Sequence, residues 1–211
     1  MSIRTAGFAA TALTAILFSA GAAHATPQPA CSVTDLSLTI AGTTYDATAC
    51  ATGAMSSPDN PSNATSQMNT ALGTNFTWVA KLGQGGSTQG IQFTVSATSG
   101  NTGTWTVTWA DTNPVGALTL PVYASLDVGL TGGSVGDAYE FTNLLLPASP
   151  TSGSGSFLIS FVNKGGQNPG ISDINLAVGN LSEAPVPEPA TVALFGAGLM
   201  GLGLVRRARK S

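Results

Sequence analysis

The sequence predicts an all-β protein: an antiparallel β-sandwich, jelly-roll-like, flanked by an N-terminal signal helix and a C-terminal transmembrane helix. Three observations carry this reading. The middle of the chain is rich in Thr, Ser, Gly and Asn and poor in strong helix formers. Apolar and polar residues alternate there over short runs, the pattern of strands with one buried face. Turn-forming clusters separate the runs, as at Ser99-Gly100-Asn101, Gly132-Gly133 and Lys164-Gly165-Gly166. Short strands without helical crossovers favour antiparallel pairing in two layers.

In chain order, the alternation predicts strands at Leu36–Ile40, Thr44–Thr48, Phe76–Leu82, Ile91–Ala97, Thr104–Ala110, Leu118–Val128, Ala138–Leu146, Ser156–Asn163 and Ile171–Val178. Ser66–Leu72 is the one short helix expected in this region. Ser56–Thr65, with Pro58 and Pro61, reads as a long loop, and Ala148–Gly155 as a second. The division that follows is 1–25 signal peptide, 26–181 β-sandwich domain, 182–189 linker and Pro-Glu-Pro motif, 190–205 transmembrane helix, and 206–211 basic cytoplasmic tail.

The two ends have their own chemistry. Arg4 precedes the apolar run Ala6–Ala22, and Ala23-His24-Ala25 offers small residues at both cleavage-determining positions. This is the layout of a secretory signal peptide, with Ala23 and Ala25 at the site and Thr26 as first mature residue. Signal peptidase and the Sec machinery are the partners it implies. At the other end the sixteen residues Ala190–Val205 carry no charge. As a helix they would span roughly 24 Å, short for a hydrocarbon core of about 30 Å but able to cross it with snorkelling flanks. Arg206, Arg207, Arg209 and Lys210 follow directly and place that end in the cytoplasm. Residues before Pro187 then face the periplasm, and Pro187 and Pro189 hold Glu188 in an extended, accessible segment.

The order Val186-Pro187-Glu188-Pro189, apolar stretch, basic cluster resembles the PEP-CTERM sorting signal. The resemblance implies an exported protein, anchored in the inner membrane facing the periplasm until an exosortase-type membrane peptidase processes it. It also implies a final place at the cell surface or outside the cell, with exopolysaccharide and biofilm as its context. Segments such as NFTWVAKLG and SGNTGTWTV resemble, more diffusely, the small β domains that precede such tails.

Charge narrows the function of the mature region. Between Thr26 and Val186 the bases are Lys81 and Lys164 alone, against Asp35, Asp46, Asp59, Asp111, Asp127, Asp137, Asp173, Glu140 and Glu183. Nine acids and two lysines give 2 − 9 = −7, which excludes binding to nucleic acid through phosphate neutralisation. His24, the one histidine, precedes Thr26, and all arginines lie in the end segments. Histidine-based catalytic triads, histidine-ligated zinc and arginine clamps are therefore unavailable. No catalytic residue, metal site or cofactor is assigned, and a non-catalytic surface or matrix protein is expected.

Cys31 and Cys50, 19 apart in an exported chain, are expected to pair. Closing that loop contributes roughly 3 kcal/mol by the chain-entropy estimate. The sharpest local pattern is Thr104-Trp105-Thr106-Val107-Thr108-Trp109. A period of two puts the threonines on one face and Trp105, Val107 and Trp109 on the other. Three roles stay open: tryptophans in the core, an exposed Trp105/Trp109 platform for sugar rings, or a flat Thr104/Thr106/Thr108 row suited to ice. The last two make the chain a carbohydrate- or ice-binding module. Among the acids, Asp127, Asp137 and Glu140 form the nearest cluster for a carboxylate pair, with solvated strand ends as the plainer reading.

Overall fold

The computed structural model describes residues 29–56, 60–112, 117–163 and 165–185. Two antiparallel sheets face each other as a β-sandwich. The six-stranded sheet runs β2-β1-β10-β7-β6-β5, with β1 Ser37–Ile40, β2 Thr43–Asp46, β5 Gly86–Thr88, β6 Ile91–Ala97, β7 Thr102–Asp111 and β10 Ser152–Leu158. The five-stranded sheet runs β3-β9-β8-β11-β4, with β3 Ala49–Met55, β4 Thr77–Lys81, β8 Val122–Gly132, β9 Val135–Leu146 and β11 Asp173–Glu183.

The core lies between the sheets. Leu38, Ile40, Ile91, Phe93, Trp105, Val107, Trp109 and Phe157 come from one sheet, and Val79, Leu126, Val128, Leu130, Phe141, Leu176 and Val178 from the other. All are at most 3% exposed, so each contributes on the order of 1.5–3 kcal/mol of transfer free energy. Trp105 meets Phe141 across the gap with ring centroids 6.2 Å apart. At one end Cys31 and Cys50 form the expected disulfide, tying the segment before β1 to β3.

One helix, α1 (Pro61–Leu72), lies on the outer face of the five-stranded sheet. It begins five residues earlier than the sequence suggests. Asn60 caps it by accepting the Asn63 N–H at 2.8 Å, and Pro61 sits at the first helical position, where its missing N–H costs nothing. The proline read as a loop signal is thus a helix start. Gly73 ends the helix in the left-handed conformation (φ 73°), which glycine adopts without strain. Ala64 and Met68 face inward and form a second apolar cluster with Met55, Phe76, Ala138 and Ala177. Gly129 of β8 makes this possible: a Cβ there would lie 2.7 Å from Met55 Cε and 3.1 Å from Met68 Sδ.

Most expected strands are present with shifted ends. Ile91–Ala97 matches β6 in both bounds, while β8 is displaced by four residues and β10 by four at its start and five at its end. The linker proposed at Ser182 begins later, because β11 pairs with β8 as far as Glu183↔Val122. The signal segment 1–25 and the proposed membrane helix at 190–205 lie outside the described residues. Among the described residues no helix is long and apolar enough to cross a membrane.

Candidate functional site

The 104–109 strand is β7, third from one end of the six-stranded sheet. Trp105 and Trp109 are 0% and 1% exposed, and their indole N–H groups donate to the Ser37 and Pro147 carbonyls at 2.8 and 2.9 Å. They belong to the core, and the sugar-stacking role considered for them is overturned. The cause is the partner sheet, whose Phe141 and neighbours cover the face that the tryptophans share.

Thr104, Thr106 and Thr108 point the other way, to solvent, and they are not alone. The register places Thr44, Thr39, Ser154, Thr106 and Ser96 in one row across five strands. A second row runs Ser152, Thr108, Thr94, and Ser156 stands opposite Thr104. Neighbouring hydroxyls bond to one another: Thr39–Thr44 at 2.8 Å, Thr94–Thr108 at 2.6 Å, Thr106–Ser154 at 3.0 Å and Ser37–Ser156 at 2.9 Å. The result is a sheet face of neutral hydroxyls, with Asp46, opposite Ser37, at its margin. Strand geometry spaces these groups about 4.8 Å across and roughly 6.8 Å along the strands.

The acids are not solvated strand ends. Asp127 and Asp137 are both 0% exposed and on opposite faces of the five-stranded sheet. Asp137 points inward; its Oδ1 accepts the Gly53 N–H at 2.8 Å. Burial pushes its carboxyl up to about 6, opposed by the Gly53 bond and helped by the negative charge of Asp35. Asp127 lies on the outer face beneath α1, directly across the ladder from Glu140. Burial lifts it to about 7, against the Thr74 hydrogen bond and with the Glu140 charge. The cluster of three therefore splits: Asp127 and Glu140 share a face, and Asp137 does not join them. With Asp127 fully enclosed, the pair lines no cleft.

Hydrogen bonds tie Asp127 to the loop after α1. Asn69 is oriented by backbone: its Nδ2 donates to the Phe76 carbonyl at 3.1 Å and its Oδ1 accepts the Phe76 N–H at 3.0 Å. The same Oδ1 accepts from Thr74 Oγ1 at 2.9 Å. Thr74 Oγ1 also contacts Asp127 Oδ2. Its one proton thus faces two acceptors, Asn69 Oδ1 and Asp127 Oδ2, and the bond to Asp127 holds that carboxyl down against the effect of burial.

Beside this chain an open groove of about 570 Å³ runs between α1 and the approach to β4. Ser62, Ser66 and Thr70 form one wall; Asn75, Thr77 and the half-buried Trp78 form the other. Sequence reading did not single out these residues as a site. The run Phe76–Leu82 was legible as a strand, but α1, which makes the second wall, was half hidden in an expected loop. Among the described residues no group of three or more His, Cys, Asp or Glu side chains could hold a metal. Lys81 is committed to Asp173 at 2.7 Å.

The fold and its surfaces thus define a neutral-faced, disulfide-stapled β-sandwich domain. The tail identifies its handling: residues 185–210 match the PEP-CTERM protein-sorting motif. The chain carries the sorting signal of an exported protein processed by exosortase, a membrane peptidase, with a surface or extracellular destination. No curated protein and no solved structure matches it. Val186, Pro187, Glu188, Pro189, Arg206, Arg207, Arg209 and Lys210 lie within the matched segment, and these residues, like Ala23, Ala25 and Thr26, fall outside the described coordinates.

Proposed function

We propose that this protein is a non-catalytic component of the cell surface or extracellular matrix, associated with exopolysaccharide and released to it by exosortase processing near Pro187–Pro189. The observation that carries the reading is the sorting motif at residues 185–210. The chemistry of the mature region supports it. The stretch from Thr26 to Val186 has no histidine or arginine, and the six-stranded sheet presents an uncharged hydroxyl face suited to a hydrated, neutral matrix. Before processing, the helix at 190–205 would hold the chain in the inner membrane with its domain in the periplasm.

Fractionation of the native host with intact-mass spectrometry tests this. The expected product is a surface or medium species that begins at Thr26, is two hydrogens lighter for the Cys31–Cys50 bond, and ends near Pro187–Pro189. A species in the inner membrane that keeps Arg206–Ser211 would make the tail an anchor only and overturn the reading.

A second reading rests on the same face. The sequence offered a single threonine row; the register sets hydroxyls from four further strands beside it, and an aligned array of this kind is what favours the reading. Growth of a single ice crystal in the presence of the purified protein tests it. Faceting that Thr106→Lys abolishes would support it, and unaltered crystal growth would end it.

A further inference from the structure

We propose that the groove between α1 and β4 is a binding site for a neutral saccharide. The proposal deepens the matrix reading by giving it a recognition site, and the two can fail separately.

The argument is chemical complementarity. A sugar presents C–H faces that pack on aromatic rings and hydroxyls that both donate and accept. The groove presents the same combination: the half-buried ring of Trp78, and the neutral side chains of Ser62, Ser66, Thr70, Asn75 and Thr77. The groove is shallow and open, with about 570 Å³ of space for a ligand lying along it. No charged residue lines it, and Lys81 on the same strand is neutralised by Asp173. An anionic ligand would find no counter-charge, and a cation no carboxylate.

Unspent hydrogen-bonding capacity points the same way. Ser62, Ser66, Thr70, Asn75 and Thr77 have no side-chain hydrogen bond within the described residues, although other polar groups around them are committed. Trp78 is half-buried with its Nε1 enclosed, so its ring offers a ligand carbon surface and no donor. The walls are held in place. The Asn69–Phe76 bonds and the Asp127–Thr74–Asn69 chain lock the loop after α1 to the sheet, and Gly86 brings the backbone of β5 up behind the Trp78 ring. A preformed groove loses little entropy on binding.

The test exploits the placement of the three tryptophans. Trp105 and Trp109 are sealed in the core, so a ligand-dependent change in tryptophan emission reports Trp78. The processed protein recovered from its cells is titrated with short gluco-, manno- and galacto-oligosaccharides and with an oligouronate. Emission and calorimetric heat are read in parallel, so that binding without an optical change is still counted. The expected result is saturable binding of at least one neutral oligomer and none of the oligouronate. Ser66→Arg, an exposed change on α1, should weaken that binding by at least about tenfold with an unchanged melting temperature. Thr106→Lys on the opposite sheet should leave it intact. Absence of saturable binding by any neutral oligomer would overturn the proposal, as would binding unaffected by Ser66→Arg. If Thr106→Lys, and not Ser66→Arg, removes binding, the groove is excluded while the matrix reading stands with the hydroxyl face as its site.

Discussion

The two outer faces of the sandwich are built from similar sequence material and have opposite fates. On the six-stranded sheet, β7 alternates strictly, and every second side chain is a threonine in water or an apolar group in the core. On the five-stranded sheet, β8 is buried along nearly its whole length. Leu126, Val128 and Leu130 fill the sandwich, while Ser125, Asp127, Gly129 and Thr131 are enclosed on the outer side. The difference is what covers the face: α1 over Asp127 and Gly129, and the segment around Pro169–Ser172 at the Thr131 end. A helix on one face turns polar strand positions into interior ones, and each must then find a partner or lose its charge.

Four measurements would break or sharpen this contrast. The covered face should depend on the apolar contact beneath α1. Met68→Ala, at a fully buried position over Gly129, is expected to cost about 2–5 kcal/mol in denaturant unfolding. A cost under about 0.5 kcal/mol would mean that α1 is not held there.

The covered face should also titrate. Asp127 has an ordinary carboxyl value of 3.8 when exposed and about 7 when folded. The folded state therefore binds a proton that the unfolded state has released, and stability falls as pH rises through that window. Three units at about 1.4 kcal/mol each set an upper bound of about 4 kcal/mol for this group, and Asp137, raised to about 6, adds in the same direction. Glu140 across the ladder opposes ionisation of Asp127; α1 and β3 bring no titrating group to it, and Lys81 is tied to Asp173 farther along the face. Melting temperature should drop between about pH 4 and pH 7. Asp127→Asn, which keeps the shape and an oxygen to accept from Thr74 but cannot ionise, should flatten much of that drop without loss of fold. An unchanged pH profile would show that Asp127 is ionised throughout.

Helix entry is a smaller effect. Asn60→Ala removes the cap of α1 and is expected to cost about 1 kcal/mol, read by chemical denaturation. Least of all, Thr106→Ala on the bare face should change stability by no more than about 0.5 kcal/mol. A larger loss would mean that the hydroxyl rows brace the sheet.

Legibility followed the same division. Ile91–Ala97 and the 104–109 run were readable because each has one wet face and one dry face, so the period of two survives in the sequence. β8 and β10 were displaced. The first alternates in sequence from Val122 to Gly132, but the apolar Leu118 and Leu120 before it extend the run and hide its start; the second, Ser-Gly-Ser-Gly-Ser, has almost no apolar side chain to mark its inner face. β3 escaped notice for a similar reason: Ala-Cys-Ala-Thr-Gly-Ala-Met is made mostly of small residues. Asn60-Pro61 was a helix start in plain sight, hidden because Pro61 is also a turn signal.

By itself the sequence determined the class of fold, the Cys31–Cys50 link, the acidic and histidine-free character of the mature region, and the sorting tail. These depend on local periodicity, on counting and on contiguous motifs. Tertiary structure alone decided which face of the 104–109 strand meets water, because that depends on the sheet packed against it. It also aligned hydroxyls from five strands into rows, enclosed Asp127 beneath a helix sixty residues earlier in the chain, and set Trp78 opposite α1. Each of these is a contact between distant segments, and no local pattern encodes the register that creates it.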